Sequence, residues 1–135
     1  MRIRQIFIGV AVAASAILFA ASCATVPKSI PQDLSAQEII QRAQEASDVY
    51  NYKAATVYYQ ALIDRFGSDQ AYLCEGDYEL AFIAYKEDRL ADAQAGFEKL
   101  LALYSSPDGD SLPQAYKILG EKVLAHVKEL RAGQK

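Results

Sequence analysis

Residues 90–104 read LADAQAGFEKLLALY, and their spacing decides the fold. Four side chains, one small and three apolar or aromatic, fall at positions i, i+4, i+7 and i+11, which is one face of an α-helix. They are Ala93, Phe97, Leu100 and Tyr104. The small first residue allows a partner helix to approach closely, so this stretch is predicted to be a helix packed against a neighbour.

The same pattern occurs earlier in the chain. Residues 52–66 read YKAATVYYQALIDRF, and an offset of 38 positions superimposes their anchors on those of the later stretch. The earlier anchors are Ala55, Tyr59, Leu62 and Phe66. The helix before each stretch repeats as well, because two pairs of alanines keep the same offset. The pairs are Ala43 with Ala81 and Ala46 with Ala84. The sequence therefore predicts two antiparallel helix pairs.

The composition agrees with a single all-α domain. The chain has 135 residues, of which 52% are hydrophobic and 23% charged, values typical of a globular domain with a short apolar appendage. Glycine (7) and proline (4) are scarce, and helix-favouring residues fill the stretches between them. The 17 acidic residues outnumber the 14 basic ones. A nucleic acid partner is therefore not expected, because binding phosphates needs clustered Lys and Arg.

The helical region carries signals at both ends. Ser35 and Glu38 have the spacing of a capping box, and Leu34 with Ile39 would flank it as a hydrophobic staple, so the first helix is predicted to begin here. A further amphipathic stripe predicts a fifth helix over residues 113–131, which would cap the second pair. The stripe comprises Tyr116, Leu119, Val123, Val127 and Leu130. Two repeats and a cap lie at or below the usual minimum of about three units, which predicts either tight capping or self-association.

Residues 1–22 have the layout of a cleaved signal peptide. Arg2 and Arg4 give a basic start, and the apolar run that follows covers residues 6–21. This run is shorter than the roughly 20 residues that a membrane-spanning helix needs, although a permanent transmembrane helix is the alternative interpretation.

Residues 19–23, FAASC, resemble the lipobox of bacterial lipoproteins. The resemblance implies cleavage before Cys23 and attachment of lipid to that cysteine, with Ala20 standing where Leu is usual. Ordinary cleavage nearby, without lipid, is the alternative. In such lipoproteins an Asp after the cysteine often signals retention in the inner membrane, and Ala24 at that position implies the outer membrane.

The segment between the cysteine and the first helix is predicted to be flexible. Residues 24–34 read ATVPKSIPQDL, with two prolines and no apolar period, which is typical of a mobile tether. The chain is thus divided into a signal peptide at 1–22, a lipidated cysteine and flexible tether at 23–34, and a helical domain at 35–135.

The repeated pattern resembles the tetratricopeptide repeat over about residues 36–105. A small residue, then aromatic, leucine and second aromatic anchors follow a helix rich in Ala and Tyr. The 38-residue spacing exceeds the usual 34. This lengthening is similar to that in outer-membrane assembly lipoproteins of the BamD type and periplasmic coordinators of the YbgF/CpoB type. Those relatives usually carry more repeats than this chain.

The resemblance also implies a ligand groove lined by the first helix of each pair. In the second copy the matching residues are Glu75, Tyr78, Phe82, Tyr85 and Lys86. An aromatic strip flanked by charges could hold an extended peptide or a partner helix. The alternative is that these side chains pack against the first helix or the cap, since stripes at helical spacing are usually core.

The reactive side chains predict no catalytic site, metal or cofactor. His126 is the only histidine, so neither a catalytic triad nor a multi-histidine metal site can form. Cys74 is interpreted as a small buried hydrophobe, with a reactive or intermolecular thiol as the alternative.

We therefore expect a non-enzymatic, lipid-anchored scaffold on the periplasmic face of the cell envelope. Its partners would be envelope proteins, and its role would be in outer-membrane protein assembly or in organising an envelope complex. The alternative is an accessory protein of periplasmic solute uptake that docks a binding protein or handles a small apolar ligand.

Overall fold

The computed structural model describes residues 25–134, so the predicted signal peptide and Cys23 lie outside the described residues. Five α-helices and one short 3-10 helix follow one another, and this part of the chain contains no strand. They are α1 (Ala36–Asp48), α2 (Tyr52–Phe66), α3 (Gln70–Lys86), α4 (Leu90–Leu103), the 3-10 helix (Gly109–Ser111) and α5 (Gln114–Gly133). The prediction of an all-α fold with two antiparallel helix pairs and a C-terminal helix is confirmed. Within residues 25–134, no helix combines the length and apolarity that crossing a membrane requires.

The start of α1 is fixed by the predicted capping box. The Ser35 hydroxyl accepts a hydrogen bond from the Glu38 amide at 3.3 Å, and the Glu38 carboxylate accepts one from the Ser35 amide at 2.8 Å. Leu34 and Ile39 on either side are both buried. Two otherwise unsatisfied amide groups thus find partners, and an apolar pair fixes the angle at which the chain enters the helix.

The 38-residue repeat extends to the backbone of the turns. Tyr50 has a φ of 59° after α1, and Asp88 has a φ of 57° after α3, so both turns place a residue in the left-handed region at matching positions. The amide of the next residue then donates back to an alanine carbonyl in each turn. These bonds join Asn51 to Ala46 at 2.8 Å and Arg89 to Ala84 at 2.9 Å. The two hairpins are therefore closed by the same turn.

The predicted anchors form the core between the helices. In α2, Ala55, Tyr59 and Leu62 are at most 1% exposed, and in α4 the three matching residues are fully buried. Those matching residues are Ala93, Phe97 and Leu100. The small anchors permit close approach of the helices, and the large ones contribute most of the buried apolar area.

The predicted inward stripe of α5 is confirmed at Tyr116, Val123 and Val127, which pack in or against the core of the second hairpin, and is wrong at its two leucines. Leu119 and Leu130 are 43% and 38% exposed, whereas Gly120, Leu124 and Val127 face the second hairpin. A Cβ atom at Gly120 would lie 3.2 Å from the Leu100 side chain, so the absence of a side chain lets α5 approach α4 at this point. A pattern that counts only large apolar residues overlooks this glycine face.

The predicted tether is docked over its second half. Ile30 and Leu34 are each only 8% exposed and belong to the core of the first hairpin. The Arg65 guanidinium donates to the carbonyls of Ile30 and Pro31, both at 2.7 Å. The expectation of a mobile segment up to residue 34 was therefore wrong for residues 30–34. Two apolar side chains and one forked donor suffice to hold it.

Candidate functional site: a cleft beside helix α3

The five α3 residues predicted to line a groove are divided between two environments. Tyr78 is only 8% exposed, and its ring centroid lies 5.8 Å from that of Phe97 and 5.5 Å from that of Tyr116. Tyr85 is half-buried, with its ring 6.0 Å from the imidazole of His126. Both tyrosines are thus largely covered by α5. This agrees with the alternative interpretation of the sequence, in which these side chains pack against the cap helix.

Glu75 also lies under α5. Burial raises the pKa of its carboxyl, and a hydrogen bond with the Tyr116 side chain opposes that shift. The pKa of Tyr116 is in turn raised to about 12, first by burial and then by the charges of Glu75 and Glu79. Since Tyr116 keeps its proton at neutral pH, its hydroxyl can donate to the Glu75 carboxylate.

The remaining two predicted residues, Phe82 and Lys86, face an open cleft between α3 and the turn that closes the first hairpin. The cleft has a volume of about 290 Å³. It is lined by Ser47, Asp48, Tyr50, Tyr52, Glu79, Phe82, Ile83 and Lys86. We refer to it as the α3 cleft.

Aromatic rings and charges alternate along the α3 cleft. Tyr50 and Tyr52 meet edge to face with ring centroids 6.2 Å apart. On the opposite wall the Lys86 ammonium lies 6.0 Å from the centroid of the Phe82 ring, and Phe82 stacks on Tyr78 at 5.8 Å. The buried Tyr78 therefore supports the exposed part of the site from below.

Glu79 is the residue of the α3 cleft that the sequence analysis missed. Its pKa is raised to about 7, mainly because burial penalises the charged form and also because Glu75 repels it. These two carboxylates are four residues apart on one helix, so they share a face. That like-charge spacing was visible in the sequence, but the burial that accompanies it was not.

The chemistry available in the α3 cleft is that of binding. An apolar or aromatic side chain from a partner can pack on Phe82 and Tyr52, and an ammonium or guanidinium group can pair with Glu79 or Asp48. Among residues 25–134 no group of three or more His, Cys, Asp or Glu side chains could hold a metal ion.

The two reactive side chains considered from the sequence lie away from the α3 cleft. Cys74 is fully buried, and burial raises the pKa of its thiol. His126 is exposed on α5, with its Nδ1 atom 3.7 Å from the Glu129 carboxylate.

Comparison with known proteins identifies a longer relative. A protein of Treponema pallidum (strain Nichols), described as an uncharacterized protein, is 31% identical to this chain over 114 residues. The aligned region makes up 83% of this chain and 46% of the relative, so the chain spans about half the length of the protein it matches. No protein-family model matches the chain, and no solved structure matches it.

Proposed function

We propose that the chain is a lipid-anchored scaffold of the cell envelope that binds a partner protein in the α3 cleft. The observation that carries this proposal is the α3 cleft itself. It presents Tyr52, Phe82 and Lys86 at the surface of two packed helical hairpins. Aromatic side chains lose little conformational freedom on binding and supply a large contact area, which favours recognition of a peptide or a helix.

The envelope location rests on the N-terminal sequence. In this proposal the signal peptide at residues 1–22 is removed, Cys23 carries the lipid, and the helical domain faces the periplasm from the outer membrane. The fold is then of the tetratricopeptide type, with two repeats and a cap. A protein with several acyl chains stays on a membrane, since each buried methylene contributes about 0.8 kcal/mol.

The partner segment is proposed to combine apolar side chains with a basic group. Glu79 and Asp48 lie on the walls of the α3 cleft, and a cation placed between the rings would contact both charge and π-electrons. Lys86 at the rim of the α3 cleft would orient the segment by repelling a second positive charge.

Photo-crosslinking in intact cells tests the use of the α3 cleft. Replacing Lys86 by the photoreactive amino acid benzoylphenylalanine should yield a crosslinked partner that mass spectrometry identifies. The same replacement at Ala95, which is exposed on α4, serves as the control. Equal crosslinking at both positions, or none at Lys86, would remove the α3 cleft from the proposal.

A pair of charge reversals adds a quantitative test. Lys86→Glu should strengthen capture of the crosslinked partner, because it removes the charge that repels a basic segment and adds one that attracts it. Lys122→Glu makes the same change on the exposed surface of α5 and should leave capture unaltered. Identification of a periplasmic solute-binding protein as the partner would favour the uptake accessory role over envelope assembly.

A further inference from the structure

Exposed apolar side chains are concentrated at one end of the molecule. The turns at residues 49–51 and 87–89 and the last turn of α5 lie together at this end, which we call the turn end. Among residues 25–134 six large apolar or aromatic side chains are exposed, and four of them belong here. They are Val26 (41%), Val49 (65%), Tyr50 (76%) and Leu130 (38%).

Contacts between elements establish that α5 reaches the turn end. The Tyr85 ring, near the C-terminus of α3, meets His126 at 6.0 Å, and the Arg131 guanidinium donates to the Gln94 side chain near the start of α4. Leu130 therefore lies at the same end as the two turns. The turns at the opposite end, residues 67–69 and 105–111, read GSD and SSPDGDS and contain no exposed large apolar side chain. The other two exposed residues, Ile118 and Leu119, lie on the second turn of α5.

The two hairpin turns provide an internal comparison. They share one backbone conformation, yet the first presents Val49 and Tyr50 where the second presents Glu87 and Asp88. A left-handed φ is unfavourable for a bulky residue such as Tyr and is tolerated better by Asp. The backbone conformation of the turn therefore does not require a tyrosine at this position.

The described chain also begins at the turn end. Thr25 lines a cleft together with Val49, Asn51 and Ala54, and Val26 lines another with Lys53, Glu87 and Arg89. One residue separates Thr25 from Cys23, so their Cα atoms are at most about 7 Å apart. A lipid on Cys23 would therefore hold the turn end within a few ångströms of the bilayer.

We propose that the turn end rests on the membrane, with Val49, Tyr50 and Leu130 in contact with the lipid headgroup region. This inference rests on the proposed lipid anchor. Tyrosine favours the interface between lipid and water, where its ring is in apolar surroundings and its hydroxyl stays hydrated. The helices then stand away from the bilayer, and the 17 residues of α3 place the opposite end about 25 Å from the turn end.

Tryptophan fluorescence provides the test, because the chain contains no tryptophan. The full chain carrying Val49→Trp is expressed with its lipid and reconstituted into vesicles of phosphatidylethanolamine and phosphatidylglycerol that contain brominated phospholipid. The bromine should quench most of the emission. Ser68→Trp places the reporter at the opposite end of α2, about 22 Å away, where quenching should be absent.

A second test gives the first hairpin turn the two residues, Glu and Asp, that the second turn has at the matching positions. In a chain that carries Leu130→Trp, adding Val49→Glu and Tyr50→Asp should reduce quenching, while the melting temperature stays the same or rises. Adding Ser105→Glu and Ser106→Asp, at the opposite end, should leave quenching unchanged.

The outcomes separate the inference from the anchor on which it rests. Membrane-bound protein in which V49W and S68W are equally unquenched would overturn the contact with lipid and leave the anchor standing. A blue shift of V49W without quenching by bromine would assign the turn end to a protein contact instead. Loss of the chain from the membrane fraction on alkaline washing would overturn the anchor and the inference together.

Discussion

Replacing Glu79 by glutamine should stabilise the protein at alkaline pH and leave its stability nearly unchanged in acid. The pKa of Glu79 rises from 4.5 to about 7 on folding, chiefly through burial and secondarily through Glu75. Between these two values the folded state binds more protons than the unfolded state, so the free energy of unfolding falls as pH rises. Glutamine has a similar shape and no charge to desolvate.

The magnitude follows from the size of the shift. A difference of about 2.5 pKa units corresponds to about 3 kcal/mol, and partial exposure of the carboxyl makes this an upper bound. The gain in the free energy of unfolding should therefore be close to zero near about pH 4.5 and approach about 2 to 3 kcal/mol above about pH 7.5.

Urea denaturation followed by circular dichroism measures the difference between the variant and the unmodified chain across this range. Groups that do not interact with Glu79 contribute equally to both proteins and cancel, whereas Glu75 and Tyr116, which feel the charge of Glu79, shift with it. Glu121→Gln, at an exposed position on α5, should give a small difference without this pH dependence. A gain for Glu79→Gln that is constant from acid to alkaline pH would refute the assignment of a desolvated carboxyl to the α3 cleft.

Three further variants test the packing. Gly96→Ala should destabilise the fold by about 1 to 3 kcal/mol in urea denaturation, although alanine favours helices, because its Cβ atom would lie 2.8 Å from that of Ala81. Gly133→Ala, which meets nothing within 4 Å, should have no such cost, and equal effects would contradict the close contact. Phe97→Ala should lower the free energy of unfolding by about 3 to 5 kcal/mol, since the ring is fully buried in the core, and a loss under about 1 kcal/mol would argue against that burial. The thiol of Cys74 should react with a maleimide only in denaturant, and rapid alkylation of the native protein would contradict its burial.

Local patterns predicted the hairpins because each signal lies within a single helix or its cap. The capping box at Ser35 and the stripe from Ala93 to Tyr104 depend on neighbours within the same helix, so the sequence contains all that is needed to recognise them. The 38-residue offset then identifies which helices are equivalent, and equivalent helices use equivalent turns.

The candidate site could not be predicted to the same degree because it depends on how α5 covers α3. Gly120 lets α5 pack against α4, and its neighbour Tyr116 then meets Tyr78 and Glu75. The α3 side chains that line the α3 cleft are those that α5 does not cover. No periodicity within α3 distinguishes Tyr78, which is covered, from Phe82, which is partly open one turn later.

Differences between the two copies of the repeat are more informative about function than the positions they share. The shared anchors at Tyr59 and Phe97 are required by packing, and the shared left-handed turns are required by the hairpin. Neither requirement explains why the first turn exposes Val49 and Tyr50 when the second, with the same backbone, exposes Glu87 and Asp88. Because these side chains meet water in the folded and the unfolded chain alike, their apolar character contributes little to folding. Tyr50 also borders the α3 cleft, and a partner bound there would therefore meet the protein at the end that we place on the membrane.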